Sequence, residues 1–349
     1  MRILFITHRF HPDVGGIEVN SEILATAFHQ AGHHVRLLTW TKESDGKDFA
    51  FPVIRNPGIN ELLREHRRAD VVYENNPSLR LSWPAIVFAK PTVIAIRTWI
   101  ARGDGRLNWQ DKLKYLWLDR AKAVIAVSEA IRNRCCKEAV VIGNPYRDKI
   151  FRKIQGIDRS SWFVFVGRLV SDKGADLAIQ ALHSLVLAER DSEGAKFEYN
   201  LTIIGEGPER STLEEMTRSL GLSARVNFKG TLRGDDLVHC LNEHRFILVP
   251  SIWEEPFGNV ALEGMACGCI PIVSNGGGLP DAVGSGGLIF QRNTLSDLVA
   301  KISNTVQNPV LQKELLEKAE LHLQRHVPKE VGRRYLEVVE SAVKLSEDI

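Results

Sequence analysis

The sequence predicts an α/β protein built from two doubly wound, Rossmann-like domains, each a mostly parallel sheet with helices on both faces. Three observations carry that expectation. The chain of 349 residues is long for one such domain and comfortable for two. Short apolar runs alternate with amphipathic stretches, and strand–helix–strand alternation builds parallel sheets. The alternation runs twice, broken once near the middle by a polar, basic stretch.

RILFIT (2–7) reads as a buried strand. After the loop to Gly16, apolar residues recur at Leu24, Ala27, Phe28 and Ala31, one face of a helix that Gly32 ends. Further strands are VRLLTW (35–40), ADVVY (69–73), TVIAI (92–96), AVIAVS (123–128) and AVVIG (139–143). NPYRDKIFRKIQGIDRSS (144–161) contains a proline and little periodicity, which predicts an interdomain linker. It separates a first domain, 1–150, from a second, 151–325. The second series runs through WFVFVG (162–167), NLTIIG (200–205), RVNFKG (225–230), FILVPS (246–251), CIPIVS (269–274) and GLIF (287–290). From about residue 294 the pattern is helical almost to the end, with 325–344 as the last helix.

Composition narrows the class. Hydrophobic residues make up 44% and charged residues 25%, the balance of a globular protein rather than a disordered one. No apolar run reaches the roughly 20 residues of a membrane helix, and MRILFITHRF is too short for the core of a secretory signal. Cys135, Cys136, Cys240, Cys267 and Cys269 are odd in number and lack C-x-x-C spacing. They read as reduced thiols of a cytoplasmic protein, which argues against a disulfide framework or a zinc site. The net charge of +2 hides an asymmetry: residues 1–155 carry +9 and residues 156–349 carry −7. A basic first half suits an anionic partner, such as a lipid surface or a phosphate-bearing acceptor; neutral drift of solvated faces is the alternative.

In an open parallel sheet, ligands bind beyond the carboxyl ends of the strands, and four loops there carry glycines and charge. In HRFHPDVGGIE (8–18), Gly15 and Gly16 precede a helix whose start favours an anion. In GRLVSDKGAD (167–176), Arg168 and Lys173 stand at a helix mouth, a site suited to a diphosphate. In SIWEEPFGNVALEGMACG (251–268), Pro256 fits the first turn of a helix and places Glu255 just outside its electropositive end. Glu263 then falls about six residues, roughly 9 Å, along that helix, inside an apolar run where a carboxylate needs a partner such as a ligand hydroxyl. Two carboxylates strung along one helix suit the two ends of an elongated ligand better than the single bond flanked in a glycosidase. The fourth loop, SNGGGLPDAV (274–283), has a glycine triplet with Asp281 behind it.

Together these loops resemble the retaining glycosyltransferases of family 4, which have the GT-B fold of two Rossmann-like domains facing across a cleft. The resemblance is strongest over 162–290 and continues more weakly through the first half. It rests on E-x7-E from Glu255 to Glu263 in EPFGNVALE, on GRLVSDKG, on IIGEGPE (203–209) and on GGGLPD. It implies that Arg168 and Lys173 hold the donor diphosphate, that Glu255 contacts the donor sugar, and that Glu263 takes the ribose hydroxyls. Amides of Phe257, Gly258, Asn259 and Val260 would meet sugar and phosphate. Gly15 and Gly16 would wall the diphosphate, and Gly205, Glu206 and the loop after Phe228 would flank the base. No divalent metal is implied, in keeping with the lack of a D-x-D loop, since cations and a helix dipole can act as the electrostatic clamp. The last segment, 326–349, would pack back on the first, acceptor-binding domain.

The implied activity is metal-independent transfer of a hexose from a nucleotide-diphosphate sugar to a hydroxyl of a sugar, glycolipid or polysaccharide. Polysaccharide, lipopolysaccharide or glycolipid synthesis of a bacterial type is the setting implied, with no cofactor beyond the co-substrate and no nucleic acid. A non-catalytic sugar-nucleotide-binding protein and a nicotinamide-dependent oxidoreductase are the alternatives, the latter lacking G-x-G-x-x-G. Three residues depart from the family pattern: Arg97 replaces a histidine, Pro145 follows Asn144 in place of glycine, and Asp281 replaces Glu. Arg97 would meet a negative group on the donor sugar or acceptor, or else pair with Glu129 or Asp104. RLNWQDKLKYLWLDRAKA (106–123) is basic and aromatic, suited to the inner face of a membrane or to a covering helix with its aromatics turned inward.

Overall fold

Runs such as TVIAI become strands because β-branched and apolar residues fit a pleated surface buried on both faces. In the computed structural model, residues 1–13, 15–43, 46–101, 107–190 and 197–347 are described. The chain divides into two units: Met1–Pro145 with His326–Ile349, and Tyr146–Arg325.

In chain order the first unit holds β1 (Arg2–Ile6), α1 (Gly16–Gln30), β2 (His34–Thr39), β3 (Val53–Arg55), α2 (Ile59–Arg68), β4 (Val71–Asn75), α3 (Leu79–Ser82) and α4 (Pro84–Val87). It continues with β5 (Thr92–Ile96), α5 (Trp109–Asp119), β6 (Ala123–Ala126), α6 (Glu129–Cys135) and β7 (Val140–Val141). The sheet order is β3-β2-β1-β4-β5-β6-β7, with Ile3 opposite both Val35 and Val71. Side chains alternate between two cores. Ile3, Phe5, Tyr73 and Val93 pack with Leu24 and Phe28 of α1 and with Val331, Tyr335 and Val339 of the C-terminal helix Pro328–Glu347. Leu4, Ile6 and Val72 face Leu62, Leu81 and Ala85 of α2, α3 and α4. Strand β3 went unread in the sequence because three half-buried residues at a sheet edge show no period.

The second unit contains β8 (Ser161–Val166), a 3₁₀ turn Ser171–Lys173, α7 (Ala175–Arg190), β9 (Leu201–Ile204), α8 (Arg210–Ser219), β10 (Val226–Gly230) and α9 (Gly234–Asn242). After these come β11 (His244–Val249), α10 (Asn259–Ala266), β12 (Ile270–Ser274), α11 (Leu279–Val283), β13 (Leu288–Phe290), α12 (Leu295–Val306) and α13 (Pro309–Gln324). Its order, β10-β9-β8-β11-β12-β13, is the doubly wound one, and every pairing is parallel. The stretch expected to be a linker is fastened to this unit instead. Asn242 accepts from Ile154 N at 2.8 Å and donates to Arg152 O at 3.0 Å, and Arg159 donates to His244 O at 2.7 Å. These bonds join residues about 90 apart, which local sequence cannot show. Among the described residues, no helix is long and apolar enough to cross a membrane.

One buried charge in the first unit carries a pH dependence. Glu74, at the end of β4, is fully buried, accepting from Ser78 N at 2.9 Å and from Trp117 Nε1 of α5 at 2.8 Å. Burial pushes its carboxyl up to about 7, against the hydrogen bonds that favour the anion. The folded state therefore holds the proton more tightly than the unfolded one. This stabilisation is present at low pH and is lost as pH rises toward 7. Glu74→Gln should gain stability relative to the natural protein as pH rises from 5 to 8. Urea midpoints at four pH values check this, and a pH-independent difference between the two proteins would refute it.

Candidate functional site

The order of the second sheet reverses between β8 and β11, so the loops after these two strands diverge and leave room between them. Gly167 and Arg168 follow β8. Their loop is held by the one after β9: Leu169 N donates to Glu206 O at 2.9 Å, and Glu209 N donates to Leu169 O at 3.1 Å. The approach is backbone on backbone. Gly205 has φ +142°, and a Cβ there would lie 1.8 Å from Gly167 O, so only glycine fits. The loop after β11 is tied to the same place, with Ile252 N and Trp253 N both donating to Asp172 O, at 2.9 and 3.1 Å.

This framework brings Arg168, Lys173 and Glu255 to the switch point. Lys173 Nζ is ion-paired with the Glu255 carboxylate and lies 5.3 Å from the centroid of the Trp253 ring. Ser251 Oγ donates to Glu255 Oε1 at 3.0 Å. The backbone of Glu255 is fixed as well: Gly278 N donates to its carbonyl at 2.7 Å, and Gly277, at φ +63°, leaves room where a Cβ would approach that oxygen to 2.1 Å. Arg168 is exposed, and among the described residues no acceptor pairs with its guanidinium. The arrangement is one neutralised ion pair beside one uncompensated cation.

The helix after Glu255 starts later than the sequence suggests. Its first residue is Asn259, capped by Gly258 in a left-handed conformation, so Pro256 lies in the preceding loop and Glu255 stands four residues before the helix. Phe257 is buried, and Gly258 as the N-cap makes no side-chain hydrogen bond to α10. Glu263 has the partner that an interior carboxylate needs, but it comes from the protein: Arg147 Nη2 donates to Glu263 Oε1 at 3.3 Å. Burial pushes the Glu263 carboxyl above its ordinary range, and Arg147 opposes that shift. Glu206 is paired with Arg210 of α8, and Asp281 lies in the first turn of α11.

Gly15, Gly16 and Arg97 belong to the first unit. Gly15 caps α1 in extended backbone without a side-chain bond, and the Glu18 carboxylate of the first turn lies beside it. Arg97 is 5% exposed, and among the described residues the acceptors it meets are neutral. Nε donates to Asn75 Oδ1 at 2.6 Å, Nη1 to Asn144 Oδ1 at 2.8 Å, and Nη2 to Tyr73 Oη at 3.3 Å. Its Cζ lies 5.0 Å from the Tyr335 ring centroid. Glu129 is paired with Arg132, and Asp104 lies outside the described residues. Asn75 extends the network to Ser21 of α1 at 2.7 Å, and Asn144 O accepts from His326 Nδ1 at 2.8 Å.

All five cysteines are free. Cys240, Glu243 and His244 have metal-ligand spacing, but both His244 nitrogens are engaged, with Cys240 O at 2.6 Å and Thr202 Oγ1 at 2.8 Å. Sequence reasoning missed Arg147, Ser251, Trp253 and Asn75. Trp253 and Ser251 had a local signal, since they flank the Glu255 motif; Arg147 and Asn75 had none.

The family profile described as Glycosyl transferases group 1 matches residues 147–322. An uncharacterized glycosyltransferase of Methanocaldococcus jannaschii is 30% identical over 333 residues, covering 88% of this chain and 89% of that protein. A second from the same organism is 32% identical over 191 residues, 49% of this chain and 47% of that relative, so that match spans about half its length. The structure of Anabaena HepE in complex with UDP and glucose aligns with a TM-score of 0.76 at 18% identity, covering 98% of this chain and 100% of that one. The fold is the GT-B type expected from the sequence.

The Arg97 network yields a stability prediction. Arg97→Met removes the donors that Nε and Nη1 supply to the buried Asn75 and Asn144 amide oxygens, leaves Asn75 the longer contact from Tyr73 Oη, and should cost about 2 kcal/mol. Denaturant unfolding followed by far-ultraviolet circular dichroism checks it; an unchanged midpoint would show that the network contributes nothing.

Proposed function

Because the chain belongs to the group 1 glycosyl transferases, we propose that it moves a sugar, with retention of configuration, from a nucleotide-diphosphate sugar to a hydroxyl acceptor. Synthesis of a polysaccharide, lipopolysaccharide or glycolipid is the setting proposed. The observation that carries this reading is the trio Arg168, Lys173 and Glu255 beyond β8 and β11. The Arg168 guanidinium offers a planar fork to a phosphate, and Lys173 adds a point charge. Glu255 accepts from a sugar hydroxyl. Lys173 and Glu255 satisfy each other, and binding a donor exchanges each partner for a ligand group. The diphosphate leaves as the acceptor hydroxyl attacks the same face of the sugar and takes up the hydroxyl's proton.

The remaining assignments follow the same logic. Glu263 accepts from the ribose hydroxyls, the loop of Gly205 and Glu206 flanks the base, and amides at Phe257, Gly258, Asn259 and Val260 meet sugar and phosphate. Gly15 and Gly16 supply backbone on the first unit, which binds the acceptor. UDP-sugars are the donors to test first, since the Anabaena structures hold UDP and UDP-glucose. Protein cations serve the role that Mg²⁺ plays elsewhere.

Removing one such donor group costs roughly 10²–10³ in rate. Arg168→Ala and Lys173→Ala should each lose turnover on that scale while folding normally, and the natural protein should keep its rate in excess EDTA. Near-normal rates in both variants, or loss to EDTA restored by Mg²⁺, would overturn the clamp. Slow donor hydrolysis without acceptor separates an enzyme from a protein that only binds the nucleotide sugar.

The first unit also fits an anionic lipid surface. On α5, Trp117 turns inward to Glu74, while Trp109, Leu113 and Leu116 are 69%, 42% and 65% exposed with Lys112 beside them. An apolar stripe edged by a cation on a basic domain is the pattern of an interfacial helix. The protein should sediment with vesicles containing phosphatidylglycerol and less with phosphatidylcholine alone, and Trp109→Ser should weaken that binding. Equal recovery from both vesicle types, unaffected by the substitution, would refute the contact.

A further inference from the structure

We infer that Arg147 is a positioning residue for nucleotide binding, holding the Glu263 carboxylate charged and oriented for the ribose hydroxyls. The inference rests on the assignment of Glu263 to the ribose and adds a residue that no motif contains.

Glu263 is set among Leu262, Gly264 and Met265 of α10, all buried, and its own side chain is only 20% exposed. A carboxylate in such surroundings tends to keep its proton. A protonated carboxyl accepts hydrogen bonds more weakly and no longer offers two equivalent oxygens to a pair of hydroxyls. Something must therefore hold the charge in place.

Arg147 is built to do so. Ile150 N and Phe151 N both donate to its carbonyl at 2.9 Å, closing a turn that brings Phe151 under the guanidinium. Cζ lies 5.0 Å from the ring centroid of Phe151, itself 2% exposed. The guanidinium thus rests over the Phe151 ring, and Nη2 reaches Glu263 Oε1. The contact is single. Nε is buried with no acceptor, so the two-pronged grip an arginine can give a carboxylate is not used, and Oε2 of Glu263 is left for a ligand.

The other charged or titratable groups near Glu263 do not substitute for it. Cys267 stands one turn further along α10, and burial pushes its thiol up to about 12, so it is neutral. Arg159 is bound to His244 O and Cys267 O, and Arg152 to Lys149 O at 2.7 Å. Among the described residues, Arg147 is the cation in contact with Glu263.

The test measures affinity for UDP, GDP and ADP by calorimetry, takes the tightest of the three, and follows its dissociation constant from pH 5.5 to 9. The nucleotide's own titration is common to all proteins compared and cancels. Loss of Arg147 raises the Glu263 pKa further, so the acid limb of binding moves to higher pH. Arg147→Met should shift that limb up by about one pH unit, roughly tenfold weaker binding on the acid side, with affinity recovered to within about threefold at pH 9. Arg147→Lys should keep the limb near its natural place. Equal loss at every pH would mean that Arg147 touches the nucleotide itself and would overturn the inference, as would an unshifted limb. Glu263→Gln separates the two levels. If it weakens binding at pH 8 and Arg147→Met leaves the limb unmoved, only the inference fails; if it leaves affinity unchanged at pH 8, the ribose assignment fails and the inference with it.

Discussion

A parallel sheet places the carboxyl ends of all its strands on one edge, and in both units of this protein the chemistry follows from that constraint. Where the strand order reverses, neighbouring loops turn away from each other and uncover the sheet edge. Polar groups gathered there must be satisfied by the protein, by water or by a ligand. The two units share one order over six strands, with a seventh at the edge of the first sheet, and resolve this demand in opposite ways. In the first, Asn75, Arg97 and Ser21 spend their polarity on one another. In the second, Arg168 is left uncompensated beside the Lys173–Glu255 pair.

That contrast explains why a family departure at one position need not signal a new substrate. Arg97 stands where the resemblance in sequence implies a histidine, and a guanidinium below the surface must find acceptors. Asn75 and Asn144 provide them at 2.6 and 2.8 Å, and Tyr335 supplies a ring face. Asn144 also receives His326 through its carbonyl. One side chain thus ties together the ends of β4 and β5 and the two points at which the chain leaves and re-enters the first unit.

Much of this was legible in the sequence because its signals were local. Strands buried on both faces read as unbroken apolar runs, and TVIAI matches its strand residue for residue. The loops of the candidate site were visible because each combines glycine and charge immediately after a strand. What escaped was set by distant pairs or by single backbone angles. Arg147 and Glu263 are 116 residues apart, Arg97 and Asn144 are 47 apart, and no period or spacing links either pair. The start of α10 moved three residues beyond Pro256 because Gly258 adopts φ +108°, a conformation the identity of the residue permits but does not require. The supposed linker reads as polar and irregular whether or not it is fastened, and only Asn242 and Arg159 decide that it is.

The C-terminal helix gives the first unit a discontinuous core, with Val331, Tyr335 and Val339 filling one face of a sheet whose strands end by Val141. During synthesis that face stays uncovered until residues 326–347 have been made, after the whole of the second unit. The second unit is contiguous from Tyr146 to Arg325 and has all its parts first. The usual order of domain formation, amino-terminal before carboxyl-terminal, is thereby reversed: the later-encoded unit is complete while the earlier one still lacks a wall. For that interval Phe5, Phe28 and Tyr73 pack on each other and on Leu24 without the cover of Tyr335, and a nascent chain stalled before that helix exposes an apolar sheet face open to aggregation and to chaperone capture.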